Sequence, residues 1–352
     1  MERMRKIKAI IIDDSALVRN IITDLLESDG SIEVIATGKT GLDCVQLVEK
    51  LRPDVVTLDV EMPVMDGLTA LKELSQKNIK VGVIMLSVLT QHGAKATFQA
   101  LELGAIDFVP KPSTAMKMDM EDIGKLLKSK ILGYFESEHR IQPPRVKVKV
   151  GNFPSIKKVP VKAIGIGTST GGPNALQILF KQFPENFQYP IFVVQHMPAG
   201  FTKAFAERLD EISKIKVKEA ENGEIVRPGW AYIAPGNFHM KIQRKDMNIS
   251  IELDQGSPVN GHRPSVDVTF DSLSECYGPA LLPIIMTGMG RDGADSIKRL
   301  RDKGSTTIAQ DEKTSVIFGM NRQAIDLGAI DHIVALEDIV PQMIRIIKER
   351  GM

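Results

Sequence analysis

Cysteine is almost missing from this chain. Two residues in 352, Cys44 and Cys276, are too few for a disulfide framework or a thiolate zinc site. Both are read as small buried hydrophobes in a reducing compartment. An excess of charge is missing too. Lys and Arg total 45 against 44 Asp and Glu, a formal net charge of +1, which disfavours a dedicated nucleic-acid or anionic-membrane binder. No run of about 18 apolar residues occurs, so no membrane span is expected. The opening MERMRKIKAIIIDDS brings Asp13 and Asp14 in directly after a short apolar run, unlike a secretory signal. Internal repeats and low-complexity tracts are also lacking. What is there is ordinary globular composition, 43% apolar and 25% charged. At about 150 residues per domain the length divides into two domains or slightly more. The expectation is a monomeric, cytoplasmic protein with two domains.

The first part alternates short apolar runs with amphipathic stretches. Strands are predicted at 8–12, 32–36, 54–60, 81–86 and 105–109, and helices at 16–27, 41–51, 67–76, 93–103 and 119–136. Near-continuous apolar strands alternating with helices predict an α/β fold whose parallel sheet is covered on both faces. From 139 to 162 the texture changes. No acidic residue occurs there, while Arg140, Arg145, Lys147, Lys149, Lys157, Lys158 and Lys162 are basic and Pro143, Pro144, Gly151 and Pro154 interrupt any helix. A solvated linker over 136–160 is the reading preferred to a basic partner-binding segment. Domains are therefore placed at 1–135 and 161–352. The second is again α/β, with strands at 161–165, 190–195, 230–234, 281–287 and 306–309, helices at 173–182, 202–212, 266–277, 294–302 and 338–348, and hairpin-like strands around 216–252.

In the first domain the polar residues gather at strand ends. Asp13 and Asp14 follow the first strand, Asp59 ends the third, Ser87 ends the fourth, and Lys111 follows the fifth. In an open parallel sheet these ends converge on one crevice. Three carboxylates there repel one another unless a hard divalent cation neutralises them, and an oxygen-only donor set points to Mg2+. One carboxylate can then attack a phosphoryl group while Lys111 and Ser87 contact its oxygens. The set Asp13-Asp14, Leu58-Asp59-Val60-Glu61-Met62-Pro63, Met65-Asp66-Gly67, Ser87 and Val109-Pro110-Lys111-Pro112 resembles a response-regulator receiver domain over about residues 6–135. The resemblance implies a flavodoxin-like (βα)5 domain with strand order 2-1-3-4-5. It also implies Asp59 as phosphoacceptor and a metal held by Asp13, Asp14, Asp59 and the carbonyl of Glu61. Ser87 and Phe108 would couple phosphorylation to the surface, and a histidine kinase would be the donor.

The second domain opens Ala163-Ile164-Gly165-Ile166-Gly167-Thr168-Ser169-Thr170-Gly171-Gly172-Pro173. Read as Gly-x-Ser-x-Gly, it is a nucleophile elbow, a sharp strand-to-helix turn that exposes Ser169. The Thr170 amide and the helix N-terminus could then stabilise an oxyanion. Two other readings stand beside it: a glycine-rich cradle for a phosphate or dinucleotide, and a purely structural turn. A serine near neutral pH needs a base. His92, His139 and His332 lack a polar neighbourhood, whereas His196 directly follows the apolar strand at 190–195 and so shares a sheet edge with Ser169. His239 and His262 are alternatives or substrate contacts. Asp292, just past the apolar run at 281–287, can supply the orienting carboxylate, cap the helix that follows, or both. The order Ser, His, Asp disfavours the α/β-hydrolase superfamily.

The segments 167–173, Gln195-His196-Met197-Pro198, Gly200-Phe201-Thr202, 262–268 and 287–293 resemble the chemotaxis protein-glutamate methylesterase family, CheB, and the likeness spans nearly the whole chain. It implies a doubly wound α/β esterase domain with Ser169 as nucleophile, His196 as general base and later acid, and Asp292 as orienting carboxylate. Thr170 would act at the elbow and Met289 beside the oxyanion. The implied activity is hydrolysis of glutamate methyl esters on chemoreceptors, with deamidation of receptor glutamines in many members. In this family the receiver obstructs the groove until phosphorylated. Thr168 stands where a smaller residue is frequent, which implies altered packing behind Ser169. Rival outputs are a phosphorylation-gated scaffold with a vestigial triad and a DNA-binding module, the latter disfavoured by the α/β alternation.

Overall fold

The structure, a computed structural model, describes residues 5–88, 90–111, 120–138 and 159–351, without the side chains of residues 91 and 92. The chain divides into two compact units, Met1–Arg140 and Ile141–Met352. Most of the basic stretch expected to be a linker lies outside the described residues.

The first unit alternates β1 (Ile7–Ile12), α1 (Ala16–Glu27), β2 (Ile32–Gly38), α2 (Gly41–Leu51), β3 (Val55–Asp59), α3 (Gly67–Gln76), β4 (Gly82–Ser87), α4 (Gln91–Glu102), β5 (Asp107–Pro110) and α5 (Met120–Glu138). The strands form one parallel sheet in the order β2-β1-β3-β4-β5, the order the receiver resemblance implies. Strand period and helix period meet in its core. Ile7, Ala9 and Ile11, alternating along β1, pack with Ile22 and Leu26 of α1 and with Ile123, Leu127 and Ile131 of α5. Fully burying each such Ile or Leu is worth about 1.5–3 kcal/mol. The helices start cleanly because the loops at the carboxyl ends of the strands carry caps. Thr40 and Asp43 form a reciprocal capping box on α2, Asp66 accepts from the Thr69 amide at 2.7 Å, and Thr90 accepts from the Gly93 amide at 2.9 Å. Helix α5 runs to Glu138, two residues beyond its expected end, because Glu136, Ser137 and Glu138 carry no helix breaker.

The second unit contains β6 (Ala163–Thr168), α6 (Gly172–Phe180), β7 (Ile191–Gln195), α7 (Phe201–Ile212), β8 (Lys216–Glu219), β9 (Trp230–Ile233), β10 (His239–Lys245), β11 (Asn248–Asp254), α8 (Val266–Tyr277), β12 (Leu281–Ile285), α9 (Ala294–Asp302), β13 (Ile308–Gln310), α10 (Met320–Asp326), β14 (His332–Val334) and α11 (Ile339–Gly351). Seven strands make a parallel sheet in the order β14-β13-β12-β6-β7-β9-β8, and β10 and β11 form a separate antiparallel hairpin. Of the stretch read as hairpin-like, only this later part is a hairpin; β8 instead pairs parallel with β9. The alternation Lys-Val-Lys-Glu fixes which face is buried but not the direction of the partner. Strand β14 contains His332.

Both sheets extend to the two sides of their first strand, β1 in the first unit and β6 in the second, so the strand order reverses beside β1 and beside β6. Strands that diverge from such a point leave a crevice at their carboxyl ends. Asp13 and Asp59 lie at the first crevice and Ser169 and Asp292 at the second.

Candidate functional sites

In the first unit, the ends of β1 and β3 bring Asp13, Asp14 and Asp59 together, with one carboxylate oxygen of each within 4.8 Å of the others. Asp13 and Asp59 are buried and Asp14 is exposed. Lys111, after β5, places its Nζ 2.7 Å from Asp13 Oδ2 and 2.6 Å from Asp59 Oδ2. Burial works against the Lys111 ammonium, but these carboxylates outweigh it and hold its pKa above the usual lysine value. Burial likewise disfavours the Asp59 carboxylate. Lys111 and the Glu61 amide favour its charged form and Asp13 opposes it, and the net effect is a pKa raised to about 6. Three oxygen donors around a buried, partly compensated negative charge fit a hard divalent cation. The Glu61 side chain is exposed, and its amide lies 3.4 Å from Asp59 Oδ1.

Ser87 is in the expected strand but not in the expected attitude. Its hydroxyl is fully buried, accepts from Thr97 Oγ1 at 2.7 Å and lies 3.3 Å from the Gly93 carbonyl of α4. The contact expected with a phosphoryl oxygen therefore requires this hydroxyl to leave α4. Phe108 is buried and meets Phe98 of α4 edge to face, with ring centroids 6.2 Å apart.

In the second unit, Ser169 follows β6 at a sharp turn. Gly171 stands at φ +78°, a left-handed conformation that suits glycine, and Pro173 lies in the first turn of α6. The turn is held through its backbone. The Ser169 amide donates to Thr287 O at 3.0 Å, and the Ser169 carbonyl accepts from the Gly172 amide at 2.8 Å and from Gln195 Nε2 at 2.9 Å. Gln195 Nε2 also reaches the carbonyl of His196 at 3.1 Å, so one buried amide ties the serine segment to the histidine segment. Close approach is required on the other side as well. A Cβ on Gly288 would stand 2.8 Å from Ser169 Cβ and 2.4 Å from Met320 Sδ. Met289 follows Gly288 and is half-buried, and Thr170 is buried with its carbonyl accepting from Thr287 Oγ1 at 3.0 Å. Thr168 packs close behind the elbow: its hydroxyl donates to Thr287 O at 2.8 Å, and a Cβ on Gly172 would stand 2.4 Å from Thr168 Oγ1.

His196 and Asp292 meet as expected, with Nε2 2.8 Å from Oδ2 and both side chains buried. Asp292 is also the focus of the loop before α8. Its Oδ1 accepts from Asn260 Nδ2 at 2.9 Å, Ser265 Oγ at 2.8 Å and the Asp267 amide at 3.3 Å, and its Oδ2 accepts from the Val266 amide at 2.6 Å. Burial pushes the carboxyl up, but His196, Asn260 and the Val266 amide overcome it and hold the group well below the usual carboxylate range. The capping role expected of Asp292 goes to a different helix. Helix α9 starts at Gly293 with no side-chain cap, whereas Asp292 receives the first amides of α8.

Of the two alternative histidines, His239 is buried on β10 with Nε2 3.0 Å from the Ser257 carbonyl. His262 does join the site, its ring stacked on His196 with centroids 3.7 Å apart. Gln195, Thr287, Asn260 and Ser265 escaped the sequence reading. Gln195 and Thr287 were detectable as polar residues immediately at the carboxyl ends of apolar strands.

Residues 164–343 match the family model described as CheB methylesterase, and residues 9–121 match that of the response regulator receiver domain. A Pyrococcus abyssi protein named protein-glutamate methylesterase/protein-glutamine glutaminase is 44% identical over 349 residues, covering 98% of this chain and 94% of the relative. A protein of the same name from Oceanobacillus iheyensis is 43% identical over 347 residues, covering 96% and 97%. The crystal structure of the Thermotoga maritima CheB methylesterase catalytic domain superposes with a TM-score of 0.52 at 43% identity, covering 53% of this chain and 99% of that one. By these matches the chain belongs to the CheB methylesterase family, with a response-regulator receiver domain ahead of the esterase domain.

Proposed function

We propose that this chain is a phosphorylation-regulated protein-glutamate methylesterase and protein-glutamine glutaminase acting on chemoreceptors. The observation that carries the reading is the His196–Asp292 pair at 2.8 Å beside the Ser169 elbow, in a chain related over nearly its full length to proteins of that name. Ser169 is the nucleophile. With Nε2 engaged by Asp292, Nδ1 of His196 is the nitrogen left to take the serine proton. Ser169 Oγ bonds to the ester carbon, and the carbonyl oxygen becomes an oxyanion that the Thr170 amide and the neighbourhood of Met289 stabilise. The C–O bond to methoxide then breaks, and His196 returns the proton so that methanol leaves. Water, deprotonated by His196, attacks the acyl-enzyme and releases the glutamate carboxylate and the serine. A glutamine follows the same path with ammonia as leaving group. Methanol release from methylated receptor membranes, with and without a phosphodonor, tests the whole reading.

The receiver at 1–135 is the switch, the segment 136–160 the connection and 161–352 the esterase. Asp59 accepts the phosphoryl group from a histidine kinase, Lys111 and Ser87 contact its oxygens, and Phe108 couples the change to the surface. Mg2+ held by Asp13, Asp14, Asp59 and the Glu61 carbonyl would neutralise the phosphate oxygens. The protein is placed in the cytoplasm as a monomer without nucleic acid; among the described residues no helix is long and apolar enough to cross a membrane.

Three outcomes follow from this half. Asp59→Asn abolishes labelling by a small phosphodonor with Mg2+, and undiminished labelling would sink the assignment. The same variant is more stable. Because the folded-state pKa is raised to about 6, ionising Asp59 costs stability that is lost in full above that value and regained as pH falls toward the ordinary carboxylate value. Metal-free Asp59→Asn is therefore more resistant to urea at about pH 8, by about 1–3 kcal/mol, and the advantage closes toward about pH 4. If the receiver restrains the esterase, a fragment beginning at Val159 releases methanol faster than the unphosphorylated whole chain; equal or slower release would leave the receiver as an activator only.

A further inference from the structure

Among the described residues one hydrogen bond, to Asp292, holds the buried His196 ring, and a bond at one ring nitrogen does not by itself fix the ring plane. The His262 ring lies face to face on it, 3.7 Å between centroids and 11° between planes. The stack is built rather than incidental. Val259 and His262 close a two-residue turn by reciprocal backbone bonds of 3.0 and 2.9 Å. Between them Asn260 and Gly261 sit at φ +53° and +79°, the left-handed pair that the tightest hairpin turn requires. The tip is anchored by Asn260 Nδ2, which donates to Asp292 at 2.9 Å and Asp267 at 2.8 Å, and the exit by Ser265 Oγ, which donates to Asp292 at 2.8 Å. One short hairpin thus touches both the carboxylate and the histidine.

We propose that His262 is a positioning residue for the base, fixing the plane of the His196 ring and with it the direction of Nδ1, which is buried without a hydrogen-bond partner among the described residues. The inference rests on the reading of Ser169, His196 and Asp292 as a triad. It has a second chemical consequence. When His196 takes the serine proton its ring becomes a cation lying on the π face of an aromatic neighbour, a contact that strengthens as the transition state forms.

The test uses the full chain with methylated receptor membranes at about pH 8, where an imidazole of ordinary pKa is neutral. Misaiming a general base costs roughly 10- to 100-fold. His262→Ala is expected to lower kcat by that factor, with KM and the thermal midpoint unchanged. His262→Phe, which keeps a flat ring in the stack, is expected to recover most of the loss. The rate of Ser169 labelling by a fluorophosphonate probe should follow the same pattern without any receptor present. The inference is overturned if His262→Ala keeps kcat within about twofold of the parent, if only KM changes, or if Phe fails to rescue. His196→Ala separates the two levels. Activity surviving in it overturns the triad itself, whereas a dead His196→Ala beside a fully active His262→Ala removes only the positioning role.

Discussion

Ser169→Ala is expected to release no measurable methanol while the protein stays folded. Removing the nucleophile of a serine hydrolase costs on the order of 10^6 in kcat, and what survives comes from the oxyanion donors and substrate binding. The fold should survive because the elbow is held by main chain. Thr287 O, the Gly172 amide and Gln195 Nε2 all bond to the amide or carbonyl of residue 169 rather than to its hydroxyl. Circular dichroism and thermal midpoint should therefore match the parent. Labelling at Asp59 should also be unaffected, which separates loss of the nucleophile from loss of the switch. Methanol release at more than about a thousandth of the parental rate would mean that another group attacks the ester.

The second large effect is at Asp292, and it falls on activity and stability together. Five donors converge on this carboxylate: His196 Nε2, Asn260 Nδ2, Ser265 Oγ and the amides of Val266 and Asp267. Asp292→Asn keeps the volume but turns one acceptor into a donor facing groups that also donate. The histidine then loses its preferred tautomer, and kcat should fall by about 10^4. Asp292→Ala leaves the donors buried without an acceptor and uncaps α8, at a cost of about 3–5 kcal/mol. Urea unfolding of the two variants beside the parent checks this. If Asp292→Ala is as stable as the parent, the carboxylate does not organise its loop. The pH dependence has a definite sign. Because the folded pKa is depressed, the carboxylate's contribution is complete above the ordinary carboxylate value and is lost only as pH falls through the lower folded value.

The parts of these sites that sequence could reveal are those carried by strand ends. A polar residue at the end of a run such as Ile191–Gln195 or immediately after it must emerge at the carboxyl edge of a parallel sheet, so Asp13, Asp59, Ser169 and His196 were legible as candidates, and Asp292 more loosely, from the loop that follows Leu281–Ile285. Most of what escaped belongs to irregular chain. The turn at 259–262 is held by its own backbone pair, by Asn260 on Asp267 and Asp292 and by the His262 ring on His196, contacts that no local pattern announces. His239 and His262 could not be ranked, because which of the two imidazoles, one on β10 and one in the turn at 259–262, reaches His196 depends on how the chain around the β10–β11 hairpin lies. Ser87 was placed in the right strand, yet its rotamer is decided by Thr97, ten residues away. Helix α10 has seven residues, too few for a periodic signal, and β14 only three.

The neighbour relations β12-β6-β7 in the larger sheet also set when the esterase comes into being. Ser169 and His196 are close in sequence, but β12, the strand that precedes Asp292, pairs with β6 across a separation of more than a hundred residues, as the bond from Thr168 to Thr287 shows with a separation of 119. Closing a loop that long is slow and entropically costly. During synthesis the receiver can collapse on its own local contacts, while the elbow stays without the β12 strand, the Thr287 carbonyl and the acid. A nascent or truncated chain ending before β12 therefore carries a potential switch with nothing to switch, and on this reading hydrolysis cannot begin before β12 and Asp292 have been made.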